Sequence, residues 1–542
     1  MKTLIAASAI LWASALTAQV NESIDVRVVN VDVTVTSKGA PVRGLSAADF
    51  EIFEDGRPQK ITNFYKVEEP VHAPAATTSA AAASVATPAA TEPDPRFRRK
   101  VLVLVDNVHT SRNRRDLALR ELEAMINDRF HGEYEWSIGV IGRGITLILP
   151  LSSDKNAIHE ALEIIRNSGT RREGATTFAS AREPEQHISP DKPTTWSVFD
   201  KNYREKLESY AAIDMSEQVI ALKFTVPAYL DAVRGFASTS GRKIVLLMTG
   251  DPGFNDLEVV PHTPGGGEFS SIRATGPGAT KFWGDQRTIE DLRKSVVQEA
   301  NSSDVSFYFW NVEGLVPSGG IGVASSAGTN LSAIFWVSKD TGGRLVTGND
   351  AAAAVHEFDT ASSSFYSLGY APAHPDDGKY HKISVRLKGP GAYSLEYRTG
   401  YSGTPAATQL ARAMTSPTAA AMQVSALPVT LTMGTPEPDG SEVTVPIAVN
   451  VPFSALQFLP GKTGVSANLV VYVSVFNDAG KNLVASSFPL TPGFKSGVPD
   501  PKGTLVYRNA IKLRKGERHR IVVAIRDVIT ESVGMATEVV QF

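Results

Sequence analysis

Two kinds of hydrophobic pattern alternate along the chain, and together they predict a multidomain protein. Residues 24–36 alternate between apolar and polar side chains, which is the period of half-buried strands. Residues 101–105 and 244–248 form continuous aliphatic runs instead, as strands buried on both faces do. Between such runs, apolar residues recur at helical spacing, for example Leu119 and Leu122. Strands and helices therefore alternate in the middle of the chain.

This alternation predicts a central α/β doubly wound, Rossmann-like domain, with a parallel sheet and helices on both of its faces. We expect the domain to occupy residues 96–402, with insertions at 171–225 and 252–285. Both insertions follow strand ends, where open α/β sheets place their ligand crevice. Loops this long in a compact domain are usually functional or mobile.

Strand patterns flank this domain on both sides. Residues 19–69 predict an N-terminal β-rich region, in which Asp55-Gly56 forms a tight hairpin turn. Residues 421–542 consist of strand-like runs between Gly, Pro and Asp turns, which predicts a C-terminal immunoglobulin-like β-sandwich.

Two stretches rich in Ala, Pro and Thr separate these regions. Residues 70–95 contain almost no large apolar side chains and cannot bury enough surface to offset chain entropy, so we predict a disordered linker there. A second linker is expected at 403–420, on the same compositional grounds.

The N-terminus predicts a signal peptide over residues 1–18. Lys2 supplies a short positive region, residues 4–16 are apolar, and small residues allow cleavage after Ala18 or Ala15. The apolar run is too short to span a bilayer, and no later segment is long and apolar enough to do so. We therefore expect an exported protein of the periplasm, cell envelope or extracellular space, without an integral membrane segment in the mature chain.

Charge and cysteine content exclude several kinds of chemistry. A net charge of −3 argues against nucleic acid as a partner, because phosphate binding needs a concentrated cationic face. The cluster Arg112, Arg114 and Arg115 is local, and we interpret it as solvated surface. The chain has no cysteine, which excludes disulfides, thiolate metal sites and cysteine nucleophiles.

Candidate ligand residues lie where strands end. Asp106 directly follows the first buried strand, Thr110 comes four positions later, and Asp251 follows the strand at 244–248. Thr176 or its neighbour Thr177 adds a hydroxyl from the start of the first insertion. Carboxylate and hydroxyl oxygens suit a hard divalent cation, so Mg²⁺ or Mn²⁺ is the candidate cofactor. The alternative is that Asp106 only accepts backbone N–H groups or caps the following helix.

The order of these elements resembles a von Willebrand factor A domain, and the whole of residues 24–401 resembles the VWFA-related proteins typical of Acidobacteria. Several short motifs carry the resemblance in collinear order. They are the segment 44–56, the loop after residues 101–105, Thr341-Gly342-Gly343-Arg344, the segment 365–372 and the closing Arg398-Thr399-Gly400-Tyr401.

The resemblance implies a protein-binding domain with a metal-ion-dependent adhesion site at the crest of the sheet, where a ligand carboxylate completes the metal's coordination. Asp106 matches the first motif of that site and Thr110 can replace its second hydroxyl. Val108 stands where the motif has a Ser and cannot ligate, and Gly250 stands where the family commonly has Asp, which displaces Asp251 by one residue. The implied site is therefore degenerate.

No motif predicts catalysis. The sequence contains no Gly-x-Ser-x-Gly, no His-Glu-x-x-His and no phosphate-binding Gly-x-x-x-x-Gly-Lys, and its histidines are scattered. We therefore predict a non-catalytic, exported module that binds a protein partner of unknown identity. The alternatives are a metal-independent structural scaffold of the cell envelope and, less favoured, a hydrolase formed between the first insertion and the central domain.

Overall fold

A computed structural model describes most of the chain outside its start, the first spacer and the long insertions. The described residues are 28–67, 99–128, 134–142, 144–169, 222–223, 225–236, 241–250, 279–314, 335–374, 377–422, 427–461, 464–478, 481–530 and 532–542. The predicted signal peptide (residues 1–18), the predicted disordered linker (70–95) and most of both predicted insertions lie outside them. In the described part, no helix combines the length and apolar character that crossing a membrane requires.

The strands of the middle of the chain form one six-stranded sheet. In chain order they are β6 (Arg99–Asp106), β7 (Tyr134–Ile141), β8 (Ile145–Ser152), β9 (Arg242–Thr249), β10 (Val305–Asn311) and β11 (Leu345–Val346). Their order in the sheet is β11-β10-β9-β6-β7-β8, and only the β7–β8 pairing is antiparallel. Every residue of β6 and β9 is buried, as their continuous aliphatic sequences predict.

Helices cover both faces of this sheet, and we call the sheet with its helices the α/β unit. The helices are α1 (Arg112–Asp128), α2 (Lys155–Arg166), α3 (225–236), α4 (Ala279–Ser302), α5 (335–340) and α6 (Ala351–Ser363). Val101, Val103 and Val105 of β6 pack with α1, α2 and α6. Leu102 and Leu104, which point to the opposite face, pack with α3 and α4.

The N-terminal strands do not form a region of their own. They are β1 (Val29–Ser37), β2 (Ala40–Pro41), β3 (Phe50–Glu54), β4 (Arg57–Gln59) and β5 (Asn63–Val67), and they pair with β12 (Phe365–Tyr370), β13 (Tyr380–Leu387), β14 (Ser394–Glu396) and β15 (Gly400–Ser402). One sheet has the order β14-β1-β12-β5 and the other β15-β13-β3-β4, around a shared apolar core.

The expected boundaries at 19–69 and 96–402 therefore do not match the packing. Residues 365–402 complete the N-terminal β-rich region instead of belonging to the α/β unit, and we call this composite the β-unit. The reason is hydrophobic: the alternating valines of β1 lie against Leu368 and Tyr366 of β12. The predicted Asp55-Gly56 turn is confirmed, with both residues at positive φ between β3 and β4.

The segment expected to be a linker at 403–420 contains two helices, α7 (Ala406–Thr415) and α8 (Pro417–Met422). Alanine-rich composition, which suggested a spacer, also favours helix. Leu410 and Met414 of α7 pack against Phe476 in the C-terminal region, while Met422 of α8 packs into the α/β core. Apolar residues at helical spacing therefore connect two parts of the molecule.

The C-terminal region is a set of antiparallel sheets around a large aliphatic core, which is consistent with the predicted immunoglobulin-like sandwich. Its strands are β16 (Thr430–Met433), β17 (Glu437–Asp439), β18 (Glu442–Pro452), β19 (Leu459–Gly461), β20 (Gly464–Ser466), β21 (Leu469–Asn477), β22 (Asn482–Leu490), β23 (Gly493–Phe494), β24 (Thr504–Arg514), β25 (Arg518–Asp527) and β26 (Val533–Gln541). Alternate residues of β18 are buried throughout its length, so one face of this strand forms core.

The family-like motifs meet at the joint between the α/β unit and the β-unit. Arg344 donates to Glu396 Oε1 through Nε (2.9 Å) and Nη2 (2.6 Å). Arg398 donates to the backbone oxygens of Asn301 and Asn30, which belong to the two different units. The motifs around Arg344 and Arg398 therefore hold the two units together, and their role in this structure is architectural.

Candidate functional site

The carboxyl edge of the parallel strands brings Asp106 and Thr249 together. Asp106 ends β6 and Thr249 ends β9, and these two strands are neighbours in the sheet. From β6 the chain continues to β7, its neighbour on one side in the sheet, whereas β9 and β10 lie on the other side of β6. The order of strands therefore reverses between β6 and β9, which is where open α/β sheets bind ligands.

The Asp106 carboxylate is fully buried and surrounded by donors. Its Oδ1 accepts hydrogen bonds from the backbone N–H groups of Val108 (2.8 Å) and His109 (3.1 Å). Its Oδ2 accepts one from the Thr249 hydroxyl (2.7 Å) and lies 2.8 Å from His109 Nδ1. Four donors from three residues thus compensate one buried charge, as a buried carboxylate requires.

These contacts set the charge state of Asp106. Burial raises the pKa of this carboxyl, but the hydrogen bond and charge of His109, the Thr249 hydroxyl and the Val108 N–H outweigh burial and lower it below 3.8. Asp106 is therefore ionised at neutral pH.

Thr110 and Gly250 complete the described part of this edge. Thr110 Oγ1 is buried and has no hydrogen-bond partner among the described residues. A Cβ at Gly250 would lie 2.4 Å from the carbonyl oxygen of His109 and 2.6 Å from Cγ of Glu313. The loop after β6 therefore occupies the space that an Asp side chain at position 250 would need.

The described residues do not assemble a complete site for a hard cation. Mg²⁺ takes close to six oxygen ligands in octahedral geometry. Here the Asp106 oxygens are already hydrogen-bonded, Val108 offers no ligand, and Thr110 contributes a single hydroxyl. Thr176 and Asp251, the other predicted ligands, lie outside the described residues. The described residues at this edge therefore fit only part of the metal site that the resemblance implies.

Arg115 corrects the expectation that the basic cluster is solvated surface, since its side chain is fully buried. It pairs with Asp116 at 2.8 Å and donates to Asn107 Oδ1 at 2.9 Å. Its Nη2 also donates to the backbone oxygens of Arg166 (3.3 Å) and Ser168 (3.0 Å), at the carboxyl end of α2. Arg115 thereby fixes the loop after β6 to that helix end. Arg112 and Arg114 are exposed, as predicted.

Thr249, Asp106 and His109 are residue types of a hydrolytic triad, but their order is wrong for catalysis. A nucleophile needs the base beside it and the carboxylate beyond the base. Here the carboxylate lies between the hydroxyl and the imidazole, contacting each at 2.7 and 2.8 Å. Thr249 is also 1% exposed. This arrangement stabilises a buried charge and gives no support to a nucleophile.

A second polar cluster lies in the β-unit, where no site was expected. His381 on β13 is 4% exposed, and both of its ring nitrogens face carboxylates. Nδ1 lies 2.8 Å from Asp55 Oδ2 and 4.0 Å from Glu54 Oε1, while Nε2 lies 3.0 Å from Asp377 Oδ1. The Tyr401 ring stacks on the imidazole with a centroid distance of 5.2 Å. We call Glu54, Asp55, Asp377 and His381 the His381 cluster.

The His381 cluster predicts a pH-dependent stability in the presence of EDTA. Burial lowers the pKa of His381, but hydrogen bonds to Asp55 and Asp377 outweigh it and raise the pKa above 6.5. When the pKa of a histidine is higher in the folded than in the unfolded protein, protonation of that histidine stabilises the fold. The stabilisation is complete below the pKa of the unfolded state and is lost as pH rises through the pKa of the folded state. We therefore expect the thermal midpoint to fall as pH rises above 6.5.

The measurement is a series of thermal melts in EDTA between pH 6 and pH 8.5, beside His381→Gln. The variant should have a lower midpoint at pH 6 and a flatter dependence on pH. Equal slopes for both proteins would show that His381 gains no proton affinity on folding.

Comparison with known proteins gives little beyond this geometry. No protein-family profile and no curated protein matches the chain. An aerotolerance-related membrane protein from Bacteroides fragilis is 10% identical, with 48% of this chain and 97% of that chain covered and a TM-score of 0.22. BatB from Bacteroides thetaiotaomicron is 12% identical, with 48% and 98% covered and a TM-score of 0.20.

Glycosidases are also among the similar solved structures. A calcium-binding mutant of Bacteroides uniformis β-glucuronidase 2 is 13% identical over 21% of this chain, with a TM-score of 0.16. This chain spans 13% of the length of that enzyme. Likenesses at such TM-scores do not establish a shared fold.

Proposed function

We propose that the protein is an exported, non-catalytic protein-binding module, and that its α/β unit is a von Willebrand factor A-like domain presenting the carboxyl edge of the sheet to a protein partner. The observation that carries the proposal is the contact of Asp106 with Thr249 across the reversal of strand order. Polar side chains from neighbouring strands converge there, at the edge where folds of this class bind.

The proposed binding surface works without a resident cation. A metal at such an edge would balance the buried Asp106 charge, and in this structure that balance comes from four hydrogen-bond donors. Ser111 N donates to Glu313 Oε1 at 2.5 Å, which ties the loop after β6 to the end of β10. The loop is therefore held in one conformation by the protein's own groups, and a preorganised loop loses less entropy on binding.

The metal-independent structural scaffold remains the second candidate. It is favoured by the placement of the family-like motifs, because Arg344 and Arg398 serve the joint between units. A scaffold requires no contact at the carboxyl edge, whereas a binding module does. The two proposals therefore differ in which surface a partner touches.

Site-specific crosslinking separates them. A photo-crosslinking residue at Asn113, exposed at the start of α1, should capture a protein in intact cells of the source organism. The same residue at Arg120, exposed two turns further along α1, is the matched control and should capture little.

The outcomes have distinct meanings. An Asn113 product that survives EDTA supports metal-free binding at the carboxyl edge. A product that disappears in EDTA and returns with Mg²⁺ would contradict the metal-free part and restore the adhesion-site mechanism. Equal products at Asn113 and Arg120, or none at either position, would favour the scaffold.

A further inference from the structure

The β-unit holds a group of side chains with the composition of a transition-metal site. A nitrogen of His381 and one carboxylate oxygen each from Glu54 and Asp55 all lie within 4.8 Å of one another. One imidazole and two carboxylates are ligand types that Zn²⁺ and Mn²⁺ accept. The site is distant in sequence from every residue of the proposed binding edge, and it is independent of that proposal.

Glu54 supplies the observation that points to a missing ligand. Its side chain is 4% exposed, and its Oε2 is buried without a hydrogen bond among the described residues. The Tyr370 hydroxyl is likewise buried without a hydrogen bond among the described residues. Burial raises the pKa of this hydroxyl, and the neighbouring Glu54 carboxylate raises it further. A buried carboxylate oxygen without a donor is costly unless it binds a cation.

The surrounding contacts orient the ligands as metal sites do. Histidines that bind metals almost always donate their second ring N–H to a carboxylate, which fixes the tautomer. Asp377 Oδ1, 3.0 Å from Nε2 of His381, occupies that position. With the proton on Nε2, the lone pair of Nδ1 points toward Asp55 and Glu54. Asp377 is itself held by the Lys379 N–H at 2.9 Å.

Asp55 is oriented in the same way. Its Oδ1 accepts a hydrogen bond from the backbone N–H of Lys382 at 2.9 Å, which leaves Oδ2 facing the imidazole. The turn at Asp55-Gly56, with both residues at positive φ, places this carboxylate next to Glu54 at the end of β3. The backbone of the hairpin therefore sets the separation of the two acidic side chains.

The separations between the proposed ligand atoms need little change for a metal ion to bind between them. Ligand atoms about 2.0–2.2 Å from a tetrahedral Zn²⁺ lie roughly 3.3–3.5 Å apart. Nδ1 of His381 is 2.8 Å from the Asp55 oxygen and 4.0 Å from the Glu54 oxygen, which bracket that separation. A divalent ion would also offset the charge of three neighbouring carboxylates more fully than a single imidazolium does.

We propose that Glu54, Asp55 and Nδ1 of His381 bind one divalent transition-metal ion, with Zn²⁺ or Mn²⁺ as the class of ligand and Asp377 as the positioning residue. The ion would clamp β3 to β13 across the β-unit, because its ligands come from both strands. Three protein ligands leave a coordination position for water.

The test uses the full mature chain after treatment with EDTA and its removal, with Zn²⁺ or Mn²⁺ alone as the probe. Isothermal titration should give one tight equivalent, and the thermal midpoint should rise, since an ion that binds only the folded state stabilises it. Glu54→Gln, which keeps the side-chain volume, should abolish the tight equivalent. Asp377→Asn should weaken binding by about 10–100-fold, as loss of an outer partner does.

His356→Ala is the matched control, because His356 is an exposed histidine on α6 and not part of the cluster. It should bind as the parent does. Binding should also strengthen from pH 6 to pH 8, since the ion competes with a proton for Nδ1. A tight equivalent that persists in folded Glu54→Gln, or no binding in the parent at micromolar metal, would overturn the proposal.

Discussion

Replacing Asp106 by Ala is expected to destabilise the α/β unit by about 3–5 kcal/mol, because several donors lose their acceptor at once and each buried donor left without one costs about 1–3 kcal/mol. The carboxylate accepts four hydrogen bonds and is fully buried. Its removal leaves the Thr249 hydroxyl, the His109 ring and two backbone N–H groups without their acceptor. Urea denaturation at pH 7 measures the change in the free energy of unfolding.

Two matched variants separate the contributions of individual hydroxyl groups to this loss of stability. Thr249→Val removes one donor and should cost about 1–3 kcal/mol, because one lone pair of the buried carboxylate then lacks its partner. Thr110→Val should be nearly neutral, since the Thr110 hydroxyl has no hydrogen bond among the described residues to lose. An Asp106→Ala protein as stable as the parent would show that the carboxylate is not needed for folding.

This expectation changes how a metal at the carboxyl edge should be tested. Loss of a metal response in Asp106→Ala could follow from a disordered loop as well as from a missing ligand. Thr110→Val is the better probe, because it removes a candidate ligand at small structural cost. If Mg²⁺, which is not among the ions proposed for the His381 cluster, stabilises the parent but not Thr110→Val, a metal binds at this edge despite the hydrogen-bonded Asp106.

Gly343→Ala is expected to be the most damaging substitution at the joint, with a loss of more than about 3 kcal/mol, beyond the usual range for overpacking. A Cβ at this position would lie 1.9 Å from the backbone oxygen of Phe307 in β10. The backbone cannot withdraw without disturbing the bond from Phe309 N to Arg344 O (3.0 Å) and the pairing of β10 with β11. Urea denaturation compared with the parent gives the measurement.

The matched control is Gly142→Ala, which like Gly343 is not among the glycines with positive φ and has nothing within 4 Å of its added Cβ. Removing a glycine at such a position should leave stability unchanged or raise it slightly, by up to about 1 kcal/mol. Similar values for the two variants would mean that β10 and the segment before β11 lie further apart than the structure places them.

Much of the architecture could be predicted from local patterns. The aliphatic runs at 101–105 and 244–248 gave the central strands, because strands buried on both faces must be apolar throughout. The Asp55-Gly56 turn was predictable from two residues, since this dipeptide accepts the positive φ values of a hairpin turn. In both cases the information lies within a few positions of the chain.

The errors came from interactions between distant segments. Composition at 403–420 could not distinguish a spacer from two short helices, because the packing of Leu410 and Met422 against other regions decides between them. Likewise, the strands of 28–67 find their partners at 365–402, and alternation alone does not identify a partner. Tertiary contacts overrode both local interpretations.

The functional residues show the same division between features that local sequence predicts and features that depend on distant contacts. Asp106 was found because it ends a buried strand, and it accepts the backbone N–H groups of Val108 and His109. Its role as a metal ligand stays a prediction. The His381 cluster was missed because Asp55 and His381 are 326 positions apart. One signal was present, since the acidic pair Glu54-Asp55 lies at a predicted hairpin turn. Arg115 was taken for surface because its partners lie on a helix end 51 positions later.

The α/β unit is inserted between two strands that lie side by side, since Val67 of β5 pairs with Phe365 of β12, 298 positions later. During synthesis β1, β3 and β5 therefore lack their partners from residues 365–402 until nearly the whole inserted unit has been made. Strand edges that stay unpaired during synthesis promote aggregation. We infer that biogenesis depends on the order of folding: the α/β unit must fold first and bring its two ends together, which then closes the β-unit.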